Sequence, residues 1–552
     1  MEETSNFIKT IMKEDLESGR VKEIITRFPP EPNAYLHIGH ARAIITDFET
    51  AKAFGGYTNL RFDDTNPTKE KSEFVDAIIK DINWLGYTPK NVYYGSDYFD
   101  ADYEKAILLI KKGLAYVDDL SQEEMARQRD TTQGDGIESP YRNRSVEENL
   151  RLFEEMRQGK YADGEKTLRA KIDMKSPNVN MRDPVIYRIV HMEHHRQGNK
   201  WCIYPMYDFA HPLQDAFEGI THSLCSIEYD NHRPLYDWVV DNCDVITETS
   251  HPHQYEFGRL NIANTVLSKR YLRALVDSKK VSGYDDCRMP TLVGFRRKGV
   301  TAEAIKNFII STGLSRINST IEPEILDNFV REDLKLKANR VSAILRPLKV
   351  TITNYPEGQV EWLDAPNNLE NEELGTRKVA FSKHLYIDQN DFIEEKPNKK
   401  WKRLAKDVEV RLMFAYFIKC TDVIKDENGN IVEILATYDP ETKSGSGFDA
   451  RKPNGTINYV EATTAVPAEF RLFESLLAPE TEENKDLDFM ERLNPNSLTV
   501  INGFVESALK DTNVGDHYQF LREGFYATDK DSTSDKIVFN RTCDLKSSFV
   551  AK

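Results

Sequence analysis

Residues Thr26 to Ala43, TRFPPEPNAYLHIGHARA, decide how the chain begins to fold. Two apolar residues before them, Ile24 and Ile25, predict a strand that the following prolines end. From Leu36 onward, apolar residues recur at spacings of three and four, which predicts a helix. A strand, a proline-rich turn and a helix form the first half of a nucleotide-binding α/β unit. At the helix start, unpaired N–H groups and the positive end of the dipole would suit phosphate.

The first turn of this helix carries His37 and His40, spaced so that both imidazoles lie on one face. Two imidazoles can hydrogen-bond to a triphosphate and stabilise charge that shifts in a transition state. Gly39 costs the helix about 1 kcal/mol relative to alanine, so we interpret it as a point where an adenine ring approaches the backbone. The spacing alone is equally compatible with a core helix that carries two histidines.

A second motif, VLSKR at Val266–Arg270, places a Ser-Lys pair in a polar stretch far along the chain. HIGH followed at long range by a KMSKS-like loop is the signature pair of class I aminoacyl-tRNA synthetases, and this chain resembles that family, most closely its glutaminyl members. Blocks that support the resemblance in order are LRFDDTNP (Leu60–Pro67), CIYPMYDFAH (Cys202–His211), GITHSLCSIEYDN (Gly219–Asn231) and DDCRMPTLVGFRRKG (Asp285–Gly299). The likeness is strong from Arg27 to Gly299 and weaker from there to the C-terminus.

The resemblance implies ATP-dependent ligation of L-glutamine to the 3′-terminal adenosine of tRNA(Gln) through a glutaminyl adenylate, with release of AMP and pyrophosphate. His37, His40 and Lys269 would stabilise the transition state, Mg²⁺ would accompany ATP, and no covalent nucleophile would be needed. Leu267 stands where many relatives have methionine, which is an isosteric apolar exchange. The implied ATP-binding set is Glu31, Pro32, Asn33, His37, Ile38, Gly39, His40, Ala41, Arg42, Ala43, Ser226, Arg259, Leu260, Leu267, Ser268 and Lys269.

The amino-acid site is expected at Asp63 and Asp64, directly after the predicted strand TNLRF. Open α/β sheets bind ligands at the carboxyl ends of their strands, although DDTNP also suits a solvated turn. The resemblance assigns Asp63 to the α-ammonium group and leaves Asp64 as a helix cap. It also places four residues at the glutamine, which are Arg27, Tyr207, His211 and Cys225.

Cys225 bears on which amino acid is bound. Glutamate-specific relatives carry an arginine at this position, and a guanidinium would pair with a γ-carboxylate. A small neutral side chain leaves that carboxylate unpaired, whereas an amide needs only neutral hydrogen bonds. Taken by itself, Cys225 is equally explained as a buried small apolar residue. The alternative function is that of a barrel-bearing glutamyl-tRNA synthetase.

Several residues are implied to contact tRNA. Asp230 matches a carboxylate that accepts a hydrogen bond from a guanine amino group in the acceptor-stem minor groove, and the resemblance adds Arg316. KKWKRLAK (Lys399–Lys406) interleaves tryptophan with cations, which suits base stacking beside phosphate contact or a solvated basic loop. Arg142 and Arg144 are either phosphate contacts or a salt-bridged pair. Positions that match anticodon contacts are Arg340, Lys402, Arg403, Gln519 and Arg522, whereas Met413 replaces an expected arginine.

The predicted fold is a Rossmann-type α/β catalytic domain with an acceptor-binding insertion, a helical connecting subdomain and two antiparallel β-barrels. Short β-branched runs separated by turns predict the barrels, and Asn428–Gly429 marks a hairpin within them. An acidic stretch at Pro479–Phe489 is predicted to be a linker. The expected boundaries are 1–98 and 201–260 for the two catalytic halves, 99–200 for the insertion, 261–340 for the helical subdomain with the Ser-Lys loop, and 341–552 for the anticodon-binding barrels.

The composition fits this interpretation. At 552 residues, with 39% hydrophobic and 30% charged residues, the chain can build several globular domains. It contains no apolar run of roughly 20 residues, and its acidic, amphipathic start differs from a targeting peptide. The six cysteines lack CxxC spacing, so no zinc is expected. We expect a cytoplasmic monomer that begins close to its catalytic domain, as bacterial relatives do, and binds neither membrane nor DNA.

The net charge of −16 argues against indiscriminate nucleic-acid binding. It leaves room for local basic surfaces, because salt screens charges beyond roughly 8 Å. Two further functions remain open: a catalytically silent paralogue that keeps the barrels as an RNA-binding module, and a trimmed relative that modifies a tRNA base. The intact HIGH and Ser-Lys motifs disfavour the first, and the long β-rich half disfavours the second.

Overall fold

A computed structural model describes residues 6–67, 72–248, 250–478, 481 and 487–546, so most of the acidic stretch predicted as a linker lies outside it. The chain divides into two compact units. One comprises Met1–Asn261 and Ile309–Ile321, and the other comprises Ile262–Phe308 and Glu322–Lys552. Within the described ranges, no helix is both long and apolar enough to cross a bilayer.

The first unit begins with a helix and a parallel sheet. Its elements are α1 (Phe7–Glu17), β1 (Ile25–Phe28), α2 (Ile38–Ala53), β2 (Tyr57–Phe62), α3 (Ser72–Trp84) and β3 (Val92–Tyr94). The sheet has the order β1-β2-β3, which confirms the predicted alternation of strands and helices. Ile8 and Met12 of α1 are fully buried. Burial of such side chains stabilises the fold by about 1.5–3 kcal/mol each.

An antiparallel sheet follows, in order β4-β5-β6-β7. The elements of this insertion are α4 (Phe99–Lys111), β4 (Ala115–Asp118), α5 (Gln122–Arg129), α6 (Val146–Arg157), β5 (Thr167–Ala170), β6 (Val185–Ile189) and β7 (Ile203–Pro205). The sheet therefore runs past the boundary predicted at residue 200. Arg142 pairs with Asp183 at 2.6 Å, and Arg144 pairs with Asp119 at 2.5 Å, so both arginines form salt bridges.

A second parallel pair of strands, β8 and β9, lies beside β1. The elements are α7 (Tyr207–Phe217), β8 (His222–Ser226), α8 (Arg233–Asn242), β9 (His253–Phe257), β10 (Leu260–Ile262) and β11 (Ser319–Ile321). The backbone N–H of Thr221 donates to the carbonyl of Ile25 at 2.9 Å. Further along both strands, the Arg27 side chain reaches the carbonyl of Leu224 at 3.1 Å. Because these contacts advance in step, β8 runs in the same direction as β1.

The helical region between the catalytic half and the barrels is confirmed. It contains α9 (Lys269–Asp277), α10 (Leu292–Lys298), α11 (Ala302–Ser311) and α12 (Pro323–Lys337). Ile305, Phe308 and Ile309 of α11 are all buried, as their helical spacing predicts.

The β-rich half of the second unit forms two barrel-like sheets, each of seven strands in the described residues. Their orders are β23-β20-β21-β22-β14-β17-β24 and β12-β27-β28-β29-β25-β26-β13. The Asn428–Gly429 turn joins β21 to β22, which pair as antiparallel strands. The strands are β12 (Asn339–Val341), β13 (Ala343–Ile344), β14 (Pro347–Ile352), β15 (Val360–Pro366), β16 (Thr376–Ser382), β17 (His384–Asp388), β18 (Phe392–Ile393), β19 (Leu404–Ala405), β20 (Glu409–Leu412), β21 (Phe417–Lys425), β22 (Ile431–Asp439), β23 (Thr456–Ile457), β24 (Val460–Glu461), β25 (Val466–Phe473), β26 (Leu498–Val505), β27 (His517–Phe520), β28 (Gly524–Thr528) and β29 (Ile537–Asp544).

Candidate active site

The start of α2 is built by its two histidines. Nδ1 of His37 accepts a hydrogen bond from the Gly39 N–H at 3.1 Å, and Nδ1 of His40 accepts one from the His37 N–H at 3.1 Å. The ring centroids lie 3.9 Å apart. Because each Nδ1 is an acceptor, each neutral ring carries its proton on Nε2. The two Nε2–H groups are therefore the donors that the rings can offer to a ligand.

Backbone donors at this helix start are used within the protein. The N–H groups of His40 and Ala41 donate to the His37 carbonyl at 2.9 and 3.1 Å, and that of Gly39 donates to the His37 ring. The prediction that unpaired N–H groups bind phosphate is therefore wrong for these three residues, because the histidines form a capping box. The imidazoles and the positive end of the helix dipole are therefore what this helix start can offer to an anion.

Gly39 is required by the position of the His37 ring. A Cβ atom at residue 39 would lie 2.9 Å from Cε1 of His37, which is closer than such atoms approach. The capping ring thus explains the glycine by a contact within the protein itself.

Replacing Gly39 with alanine should separate stability from activity. Alanine favours the helix by about 1 kcal/mol, but its methyl group must displace the His37 imidazole. We expect an unfolding midpoint close to that of the unmodified protein and a loss of at least about tenfold in ATP–pyrophosphate exchange, because displaced catalytic groups lose alignment. Thermal unfolding and exchange assays measure the two effects, and an undiminished exchange rate would contradict the role given to His37.

Some side chains of the predicted ATP-binding set face the interior. Ile38, Ala41 and Leu260 are buried. Arg42 is also buried, and its guanidinium donates to the Gly258 carbonyl at 3.2 Å and to the hydroxyl of Thr312 at 2.8 Å. The charged group of Arg42 therefore joins two loops of the first unit, and a contact of this residue with ATP stays a prediction. Of the others, Pro32 is buried, while Asn33 and Ala43 are partly exposed.

The ends of β8 and β9 bring Ser226 and Arg259 to one carboxylate. The Ser226 hydroxyl donates to Glu228 at 3.4 Å, and Arg259 forms an ion pair with the same residue. Glu228 was not among the predicted site residues, because a single acidic residue after a strand carries no distinctive sequence signal. It fixes the direction of the Arg259 side chain, which is half exposed.

A cavity of about 240 Å³ lies at the carboxyl end of β2 and contains Asp63. The Asp63 N–H donates to the Pro30 carbonyl at 3.0 Å, which ties the proline turn to β2. Glu31, predicted at ATP, lines this cavity as well. Its described lining consists of Glu31, Asn33, Asp63, Thr65, Asn66, Arg188, Pro205, Met206 and Tyr207.

The Asp63 carboxylate suits a cationic ligand. Burial raises its pKa above the ordinary value, the Thr65 hydroxyl at 2.7 Å partly offsets the rise, and nearby Glu31 adds to it. A bound ammonium group would stabilise the ionised form. The predicted site of the α-ammonium group thus has the charge and enclosure that this role needs.

Asp64 forms a contact with the insertion. Its carboxylate accepts from the N–H of Ser96 at 2.7 Å, the Ser96 hydroxyl at 2.6 Å and Nε2 of His195 at 3.1 Å. It stabilises the start of a short 3₁₀ helix, Gly95–Tyr98. Asp64 therefore acts at a helix start, as predicted, although the N–H that it accepts lies 32 residues away in the sequence.

Asp64, His194 and His195 offer three ligand atoms within 4.8 Å of one another. The hydrogen bonds exclude a metal, however. Nδ1 of His194 accepts from the N–H groups of Arg196 and Gln197 at 3.1 and 3.2 Å, and its Nε2 donates to the Asp64 carbonyl at 2.6 Å. Both nitrogens of His194 are therefore engaged, and the cluster is a structural junction.

Arg27 lies in a fully buried ion pair with Asp215. Its Nε is 3.0 Å from Oδ1 of Asp215, and its other two nitrogens contact the Leu224 carbonyl, the Ser223 hydroxyl and the His211 ring. Burial alone would raise the pKa of Asp215, but Arg27, His211 and Arg61 outweigh it and lower the pKa. Each guanidinium nitrogen of Arg27 thus has a partner within the protein, and its contact with glutamine stays a prediction.

The other predicted glutamine residues surround this pair. Tyr207 stacks on His211 with centroids 4.8 Å apart, and Sγ of Cys225 lies 3.9 Å from Arg27. Burial lowers the pKa of His211 well below its ordinary value, and Arg27 and Arg61 lower it further although Asp215 opposes them. The imidazole is therefore neutral at physiological pH. Tyr207 lines the cavity, whereas His211 and Cys225 are not part of its described lining.

Asp230 and Arg316, both predicted to bind tRNA, form an ion pair with each other. Arg233 joins them, 3.2 Å from Asp230 and 3.2 Å from the buried Glu256. Exposed surface remains on both predicted residues, since their side chains are 40% and 46% accessible. The structure therefore brings the two together at the short 3₁₀ helix Ile227–His232, which precedes α8.

Of the predicted anticodon residues, two lie on strands of one barrel-like sheet and three lie in loops of the second unit. Arg340 and Gln519 are register partners on β12 and β27. Arg403 and Arg522 both pair with Asp391 and line a cavity of about 440 Å³ together with Trp401. Two further residues stay apart from this cavity lining, the exposed Lys402 and the partly exposed Met413.

The Ser-Lys loop belongs to the second unit. Ser268 is the N-cap of α9 and Lys269 is its first residue, and both are exposed. On either side of them, Val266 and Leu272 are buried in a cluster with Leu275. The loop therefore presents its polar residues from an apolar base, with Leu267 partly exposed.

Comparisons with known proteins agree along the whole chain. The catalytic-domain model of the tRNA synthetases class I (E and Q) matches residues 23–336, and two anticodon-binding domain models of that group match 338–439 and 456–529. The glutamine–tRNA ligase of Clostridium perfringens is 56% identical over 100% of this chain and 99% of its own length. Those of Clostridioides difficile and Proteus mirabilis are 57% and 52% identical, over 99% and 98% of this chain and 98% and 97% of theirs.

Proposed function

The chain belongs to the class I tRNA synthetases of the glutamate and glutamine group, and from this premise we infer that it ligates L-glutamine to the 3′-terminal adenosine of tRNA(Gln), using ATP. Relatives named glutamine–tRNA ligase support this at 56% and 57% identity over nearly the full chain. Identity of this degree along the entire length favours glutamine over the alternative, glutamate.

The charge of the amino-acid pocket is the structural observation that carries the choice of glutamine. Asp215 neutralises Arg27 in a buried pair, His211 is neutral, and Cys225 brings no cation. A γ-carboxylate held at Tyr207 would lose its water without gaining a counter-charge from Arg27, His211 or Cys225, which is strongly unfavourable. An amide would need only neutral hydrogen bonds, for which the Tyr207 phenol is suited.

We propose that activation occurs by direct in-line transfer. Asp63 binds the α-ammonium group, and the carboxylate of glutamine attacks the α-phosphorus of ATP, which enters as its Mg²⁺ complex. As the bond to the β-phosphate breaks, the electron pair leaves with pyrophosphate. The Nε2–H groups of His37 and His40, together with Lys269, stabilise the charge that grows on the phosphate oxygens.

In the second step, the 2′-hydroxyl of the terminal adenosine attacks the carbonyl carbon of the glutaminyl adenylate. AMP departs with the electron pair of the broken acyl–phosphate bond, and the hydroxyl proton is released. No protein nucleophile takes part, so catalysis rests on positioning and electrostatics. The parallel strands form a Rossmann-type domain in this proposal, and the insertion holds the acceptor end of the tRNA.

Asp230 and Arg316 would face the acceptor stem. Asp230 would exchange an arginine partner for a guanine amino group, while Arg316 would contact the RNA backbone. The barrels would bind the anticodon through a set of five polar residues, namely Arg340, Lys402, Arg403, Gln519 and Arg522.

Competitive aminoacylation tests the proposal. Purified tRNA(Gln) and tRNA(Glu) are each incubated with the enzyme, ATP and an equimolar mixture of glutamine and glutamate that carry different radiolabels. We expect glutamine on tRNA(Gln) and neither label on tRNA(Glu). Predominant attachment of glutamate would establish the glutamyl alternative, and absence of pyrophosphate exchange with both amino acids would show a non-catalytic RNA-binding protein.

A further inference from the structure

Arg188 is an arginine of the amino-acid cavity that neither its sequence context nor the proposed reaction accounts for. It lies on β6 of the insertion and lines the cavity together with Asp63 and Tyr207. Its Nε is buried and has no hydrogen-bond partner among the residues that the structure describes. A guanidinium remains charged at any physiological pH. A buried donor without a partner, at the wall of a ligand cavity, indicates a group that the ligand satisfies.

The polar groups of the amino acid indicate which group of the ligand Arg188 binds. This step rests on the proposed function, in which glutamine brings an ammonium group, an amide and an α-carboxylate. Asp63 suits the ammonium group, and Tyr207 suits the amide. The α-carboxylate still needs a cation, and Arg27 already forms an ion pair with Asp215 at 3.0 Å. Arg61 is likewise held, by Asp215 at 2.7 Å and Glu218 at 2.9 Å.

We propose that Arg188 binds the α-carboxylate of glutamine and aligns it for attack on the α-phosphorus of ATP. A guanidinium can hold both carboxylate oxygens. During activation, one of them forms the bond to phosphorus while the bond to the departing pyrophosphate breaks, and the other stays with Arg188. The positive charge also reduces the repulsion between carboxylate and phosphate as they approach.

The surroundings of Arg188 hold it in place. Its strand pairs with β7, where Tyr204 is its register partner. The turn between these strands is fixed to the neighbourhood of Asp63, because His194 donates to the Asp64 carbonyl at 2.6 Å and Gln197 donates to the Ser96 carbonyl at 2.9 Å. The junction of Asp64 and His194 therefore sets the distance between the ammonium-binding and carboxylate-binding sides of the cavity.

The test compares two ligands that differ only at the carboxylate. L-Glutaminol carries a hydroxymethyl group in its place and keeps the ammonium group and the amide. For the Arg188→Gln, Arg188→Lys and unmodified enzymes, the KM for glutamine, the inhibition constant of L-glutaminol and the KM for tRNA are measured by aminoacylation. Arg151→Gln is the matched control, since Arg151 is an exposed arginine of the same insertion, paired with Glu155.

We expect Arg188→Gln to raise the KM for glutamine about tenfold to a hundredfold, the loss typical of a hydrogen-bonded charge pair. The inhibition constant of L-glutaminol and the KM for tRNA should stay within about twofold. For Arg188→Lys, the KM for glutamine should lie between the values of Arg188→Gln and the unmodified enzyme, because lysine keeps the charge but cannot bind the carboxylate in a bidentate manner. Arg151→Gln should change none of the three constants.

Three results would overturn the proposal. Equal weakening of glutamine and L-glutaminol would show that Arg188 only shapes the cavity. A raised KM for tRNA with an unchanged KM for glutamine would place Arg188 at the RNA, and unchanged constants throughout would give it no role. If the unmodified enzyme attaches glutamate instead, the proposed function fails by itself. The comparison is then made with glutamate and its alcohol analogue, because glutamate carries the same α-carboxylate.

Discussion

Replacing Lys269 with alanine should slow ATP–pyrophosphate exchange by well over tenfold and leave the unfolding midpoint unchanged. The side chain is exposed at the first position of α9, so its removal opens no cavity. The buried residues that hold the loop, Val266 and Leu272, are untouched. Loss of one preorganised group that stabilises developing charge typically costs about a hundredfold to a thousandfold in rate.

The measurement uses saturating tRNA(Gln), since the family resemblance implies that activation requires it. Arg273→Ala is the matched control, because Arg273 is an exposed cation one turn further along α9 and pairs with Asp277 at 3.4 Å. We expect the loss for Lys269→Ala in kcat, with a smaller change in the KM for ATP, because a group that acts mainly in the transition state affects turnover. Exchange at the rate of the unmodified enzyme would remove Lys269 from the mechanism.

Local elements of the fold could be predicted because local patterns determine them. The spacing of Phe74, Ile78 and Ile82 is that of one helix face, and all three residues are buried in α3. The turn at Asn428–Gly429 predicted the hairpin of β21 and β22, in which Gly429 adopts a positive φ of 82° that glycine accepts without strain. Such signals operate within a few residues and need no knowledge of the remaining chain.

Contacts between distant segments could not be predicted in the same way. Asp64 was expected to be a helix cap, but its sequence context did not indicate that Ser96 and the turn at His194 are its partners. Strands β12 and β13 precede the first barrel-like sheet and nevertheless belong to the second. Periodicity states which face of an element is apolar, and it carries no information on which distant partner covers that face.

The predicted site shows the same division. His37 and His40 lie close together at the start of α2, as their spacing predicts. The resemblance gave no information on side-chain direction. Arg42 faces the interior, and Arg27 forms an ion pair with Asp215. Arg188 carried no sequence signal, because a single arginine within an apolar strand has no characteristic spacing.

Asp215→Asn should have the largest effect on stability among the substitutions considered. Asp215 is the common counter-ion of Arg27 and Arg61, and it also accepts the Tyr236 hydroxyl at 2.9 Å. Asparagine keeps the volume and removes the charge, so two buried guanidiniums lose their shared partner. Breaking a buried pair in this way typically costs about 3–5 kcal/mol, which we expect as a reduced free energy of unfolding in urea.

The same substitution should weaken the discrimination against glutamate. Without the charge of Asp215, the residues behind Tyr207 gain a net positive charge from Arg27. A γ-carboxylate can then pair with a cation that Asp215 neutralises in the unmodified enzyme. The ratio of kcat/KM for glutamine to that for glutamate should fall at least about tenfold, measured on the folded variant at low temperature. Asp241→Asn, on the exposed side of α8, is the control and should alter neither quantity. An unchanged ratio in Asp215→Asn would show that the neutrality of the buried pair is not what selects the amide.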